Sequence, residues 1–110
     1  MQHDREERIA RTEALFREVN ERIADNVERF EGHVGSFVCE CADPTCTHSV
    51  TVPLDDYEGV REVPTRFVLA HGHEDPSVEQ VVADAGPYAV VEKTAPRVRE
   101  LVRLLDPRAA

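Results

Sequence analysis

Apolar positions between residues 4 and 31 recur with the period of a helix. Ile9, Phe16, Val19, Ile23, Val27 and Phe30 fall on one side of a 3.6-residue turn, with Leu15 beside them. Four of these, Ile9, Phe16, Ile23 and Phe30, are spaced by seven. Asp4 with Glu7 three residues on forms a capping-box pattern, and Gly32 suits the C′ position. The remaining faces carry acid-before-base pairs four apart: Glu7–Arg11, Glu13–Arg17, Glu18–Arg22 and Asp25–Arg29. Each such pair supports a helix by about 0.2–0.5 kcal/mol. The stripe is expected to face a core within the chain, with a homodimer through this N-terminal helix as the alternative.

Beyond residue 32 the pattern changes. Residues 33–36 read as a loop, 37–41 as a strand and 49–52 as a second strand, with a turn at Ala42-Asp43-Pro44-Thr45 between them. A short helix is expected from residue 54, with Asp55 as cap and Glu58 closing its box, stopped near Pro64. Strands follow at 66–70, 79–83 and 88–92, the last two joined as a hairpin around Gly86-Pro87. Pro96 opens a C-terminal helix with Val98, Leu101, Val102 and Leu105 on one side. The expected fold is α+β, with a small, mostly antiparallel sheet in one domain over residues 1–110: the helix at 4–31 and a core at 37–105.

The chemistry concentrates in Phe37-Val38-Cys39-Glu40-Cys41-Ala42-Asp43-Pro44-Thr45-Cys46. All three cysteines of the chain stand there, spaced C-x-C-x4-C. Thiolates are soft ligands that suit zinc, and a structural zinc site takes four N or S donors in a tetrahedron. In a strand Cys39 and Cys41 share a face, and the Asp-Pro turn brings Cys46 back towards them. A fourth ligand has to come from elsewhere. His73 follows a strand and a glycine, so its backbone can bend towards a metal; His71 and His48 are the other candidates. Glu74 could orient the liganding imidazole. A closed set of Cys39, Cys41, Cys46 and His73 leaves no position for a substrate water and is structural.

Charge narrows the function classes. The net charge is −9, with twelve Arg and one Lys among the bases. Nucleic acid and anionic membrane surfaces would repel such a chain. Arg97, Arg99 and Arg103 on the last helix are the one feature that speaks for a nucleic-acid binder. No window approaches the roughly 18 apolar residues of a membrane span, and residues 1–8 lack the apolar stretch of a signal peptide. An odd number of clustered cysteines is no disulfide framework, so a reduced, cytoplasmic setting is expected. No H-E-x-x-H, phosphate loop or G-x-S-x-G is present. The reading is a non-enzymatic zinc protein that binds another protein, with a metal- or thiol-dependent enzyme using an open zinc position or Cys41 as the alternative.

Several stretches together carry a resemblance: Leu15 to Arg22, the cysteine cluster, Tyr57-Glu58-x-Val60-Arg61, Pro64 to Phe67, Gly72-His73-Glu74 and Val90 to Lys93. The chain resembles a family of small uncharacterised actinobacterial proteins over nearly its whole length. The resemblance implies that His73, rather than His71, is the shared histidine. It implies no activity.

Overall fold

Residues 2–108 are described by a computed structural model. The first helix, α1, spans Gln2–Arg29. It contains neither Gly nor Pro, so nothing interrupts its hydrogen bonding. It starts and stops two residues earlier than the sequence predicts, which puts Asp4 inside the first turn rather than at the cap. The C-terminal end is a Schellman closure: Glu31 N–H bonds to Glu28 O at 3.0 Å and Gly32 N–H to Val27 O at 2.7 Å. The left-handed residue of that closure is Glu31, at φ 57°, one position before the expected Gly32.

Two antiparallel sheets follow, where the sequence predicts one. Strands β1 (Val34–Val38) and β2 (Ser49–Pro53) pair with Phe37 opposite Val50 and Gly35 opposite Val52. Strands β3 (Arg66–Leu69), β4 (Glu79–Asp84) and β5 (Ala89–Lys93) form a second sheet in the order β3-β5-β4. Helix α2 (Leu54–Arg61) lies between the sheets in sequence, and α3 (Pro96–Leu104) closes the chain. Pro53 occupies the N-cap of α2, so Asp55 sits in its first turn and caps nothing.

Strand β1 starts three residues before its expected position and ends before the first cysteine. The cause is Gly35, which reads as a loop residue. A Cβ there would stand 2.5 Å from the Phe37 ring, so the strand needs glycine for that ring to lie over it. Phe37 in turn stacks on Tyr57 of α2, with centroids 4.3 Å apart and planes at 10°.

The three-stranded sheet is covered on both faces. Phe67, Leu69 and Val91 point to one cluster with Ile9, Ala10, Val78, Val98 and Val102; Cys39 and Cys41 belong to it. Val68 and Val90 point to the other, with Phe37, Val50, Val52, Tyr57, Val60 and Tyr88. Alternation along β3 therefore feeds both cores, and burial of a Val or Leu side chain in either contributes about 1.5–3 kcal/mol. Strand β4 is the outer strand and is mostly exposed. Its register slips between Val81 and Ala83, so Val82 is a bulge.

Helix α1 turns an unexpected face inward. Its buried positions are Glu6, Ile9, Ala10, Glu13, Arg17, Asn20 and Ala24. Leu15 (59%), Val19 (40%) and Phe30 (78%) of the apolar stripe remain exposed, and Phe16, Ile23 and Val27 are half-buried. Glu13 and Arg17 go inside because partners wait there. Lys93 Nζ binds Glu13 and Glu79 together, and all three are buried. Arg17 donates to the carbonyls of Pro64, at 2.8 Å, and Arg66, and its guanidinium lies 3.6 Å above the Phe67 ring. Of the four surface pairs expected on α1, Glu7–Arg11 alone forms among the described residues, at 3.0 Å.

Candidate metal centre

The connection from β1 to β2 carries all three thiols, and the turn after β3 carries a histidine. Cys39 lies one residue past β1, where its N–H still bonds to His48 O at 3.0 Å. Glu40 N–H then crosses to the other sheet and bonds to Val68 O at 2.8 Å. The next turn is held by Asp43, whose side chain accepts from Thr45 N–H at 2.9 Å and Thr45 Oγ1 at 2.7 Å. This Asx turn returns Cys46, with its N–H bonded to Asp43 O at 3.1 Å. Thr45 holds the Asp43 carboxyl below its ordinary range.

On the opposite side, β3 ends in a tight turn over residues 70–73. His73 N–H closes it on Ala70 O at 3.2 Å, and Gly72 has φ 83°. A positive φ at the third turn position is the type II requirement, which glycine meets without strain. The turn directs His73 Nδ1 to 3.6 Å from both Cys39 Sγ and Cys46 Sγ.

Cys39, Cys41, Cys46 and His73 thus converge, with one donor atom from each and all four within 4.8 Å of one another. A tetrahedral ion with bonds of about 2.3 Å to sulfur and 2.0–2.1 Å to nitrogen spans an S···N edge of about 3.6 Å. The two S···N edges from His73 to Cys39 and Cys46 match. Burial pushes the Cys39 and Cys41 thiols up, and the Ala70 N–H, 3.2 Å from Cys39 Sγ, opposes this only in part. A cation at the cluster would offset the burial that disfavours the Cys39 and Cys41 thiolates. The donor set therefore fits a soft divalent metal, and the four residues sit close enough to bind one.

Neither of the other two candidate histidines joins the donor group. His71, half-exposed, faces away and meets Gly86 O at 2.5 Å and Asp84 at 3.4 Å. His48 is exposed and lies edge-on to His73, with ring centroids 4.5 Å apart. Glu74 makes no hydrogen bond to His73 among the described residues. Arg97 and Arg99 of α3 pair with Glu100 and Glu92.

A shallow cleft of about 440 Å³ opens beside the centre, lined by Arg5, Ile9, Cys41, Asp43, His73 and Asp75, among others. Arg5 pairs with Asp75 at 2.6 Å and so ties the start of α1 to the loop after the histidine turn.

Sequence reasoning missed the residue between the first two cysteines. Glu40 is fully buried, and each of its oxygens is bound. Oε1 accepts from Val68 N–H at 3.1 Å; Oε2 accepts from Asn20 Nδ2 at 2.9 Å and Tyr57 OH at 3.1 Å. Its position between Cys39 and Cys41, which face the opposite way, was the available signal.

No family model, curated protein or solved structure matches the chain. Among the described residues no helix is long and apolar enough to cross a membrane.

Proposed function

We propose that Cys39, Cys41, Cys46 and His73 hold one zinc ion in a closed Cys3His shell, and that the ion is structural. The observation that carries this is the convergence of the four donors, with S···N edges of 3.6 Å. The ligands stand on connections that leave two sheets sharing no strand pairing, so a metal there would tie the two halves of the fold together. Binding confined to the folded state adds directly to stability. Three thiols kept reduced fit a cytoplasmic setting. The absence of a catalytic motif and the long charged face of α1 support a protein-interaction or regulatory role with a protein partner.

The cleft beside Cys41 and His73 favours a second reading, in which a ligand position opens there and a bound water of lowered pKa does hydrolytic work.

Elemental analysis of reduced, untagged protein tests the first reading. One zinc per chain is expected in the wild type and in His71→Ala, with loss or weakening in His73→Ala. Absence of metal in the wild type would sink it. Cobalt substitution separates the two readings: a tetrahedral spectrum unchanged by added anions excludes an open position.

A further inference from the structure

Glu40 stands between two of the four donors, yet its side chain belongs to the other core. Every group around its carboxylate is a donor: the Val68 amide, the Asn20 amide, the Tyr57 hydroxyl and, at 4.0 Å, Arg17 Nε. Asn20 cannot reverse its amide, because Oδ1 accepts from Val38 N–H at 2.8 Å while Nδ2 donates to Val38 O at 2.9 Å. The site therefore demands a group that only accepts, which a carboxylate is and an amide is not.

The strand that Glu40 grips is the one that leads to the histidine. Val68 bonds to Glu40 through both its N–H and its C=O; two residues on, Ala70 N–H bonds to Cys39 Sγ; three further on stands His73. We propose that Glu40 is a positioning residue for the metal centre. Its buried carboxylate sets the register between the Cys39-Glu40-Cys41 segment and the strand ending at His73, so that thiols and imidazole converge before a metal arrives. The inference rests on the reading of these four residues as ligands. Partners that orient metal ligands from outside the coordination shell contribute about ten- to a hundred-fold in affinity.

The test measures zinc affinity by competition with a chromophoric chelator, the absorption of the cobalt form, and urea unfolding with and without zinc. Glu40→Gln is expected to bind zinc about ten- to a hundred-fold more weakly, with an altered cobalt spectrum. Tyr57→Phe removes one hydrogen bond and keeps the ring stack; about two- to five-fold weakening is expected. Glu40→Gln with wild-type affinity and cobalt spectrum, and equal stability loss in metal-free and zinc-loaded forms, overturns the proposal and leaves Glu40 a core polar group. If Glu40→Gln does not fold, Tyr57→Phe decides: unchanged affinity overturns the proposal. A wild type that binds no metal overturns the ligand reading itself, and this inference with it.

Discussion

Helices α1 and α3 enter the same apolar cluster with opposite chemistry. Helix α3 contributes Val98 and Val102, and its outward residues are mostly charged. Helix α1 contributes Ile9 and Ala10 near its start, then turns Glu13, Arg17 and Asn20 into the interior. A hydrophobic stripe is a sound guide where the opposing surface is apolar. It misleads where that surface offers Lys93, Glu40 and the carbonyls of Pro64 and Arg66, because Glu13 and Arg17 then find partners.

The largest expected effect lies in that contrast. Lys93→Met leaves Glu13 and Glu79 buried without their cation, and a loss of about 3–5 kcal/mol in urea unfolding is expected. The matching change on α3, Val102→Ala, is expected to cost about 1–3 kcal/mol. If Lys93→Met costs less than Val102→Ala, the buried charges do not organise the α1 interface.

The second effect is pH dependence confined to the α1 side. Burial pushes the Glu13 carboxyl from 4.5 up to about 7, against the pull of Lys93. The folded state then holds this proton more tightly than the unfolded chain, so its contribution is greatest at low pH and is lost as pH rises from about 4.5 to about 7. The stability difference between wild type and Glu13→Gln should change by on the order of 3 kcal/mol across that window. Because it is a difference, titrations of groups remote from Glu13 cancel. A difference that stays flat with pH would refute the assignment.

A smaller effect distinguishes the helix ends. Helix α3 stops at Leu105 with φ −94°, whereas α1 stops through Glu31 at φ 57°. Glu31→Gly should stabilise by up to about 1 kcal/mol, read from the urea midpoint. The smallest change is expected on the exposed part of the α1 stripe. Leu15→Gln and Val19→Gln should stay within about 0.5 kcal/mol in dilute protein. A larger loss that grows with protein concentration would mean that this face pairs with a second copy.

Much of this architecture was legible in the sequence. The order of elements follows from periodicity, from Pro96 at the start of α3 and from the turn residues between strands. The spacing C-x-C-x4-C marks three of the four donors that converge, and His73, the fourth, is one of three candidate histidines. Three things were not legible, each for a physical reason. Glycine in a strand looks like a loop until the Phe37 ring is placed over it. The inward face of α1 depends on long-range partners that no local window contains. Glu40 carries no signal in the sequence beyond its place between two cysteines, because Asn20, Tyr57 and Val68, from three separate elements, close around it only in the fold.

The bulge at Val82 bears on how the molecule behaves in a crowd. Strand β4 leaves one side of its backbone unpaired and exposes Val81 and Val82. A flat outer strand of that composition is a template for the edge of a neighbouring molecule, and so for fibril growth. The extra residue breaks the regular spacing of donors and acceptors midway along the strand, so an incoming strand could match only one half of it at a time.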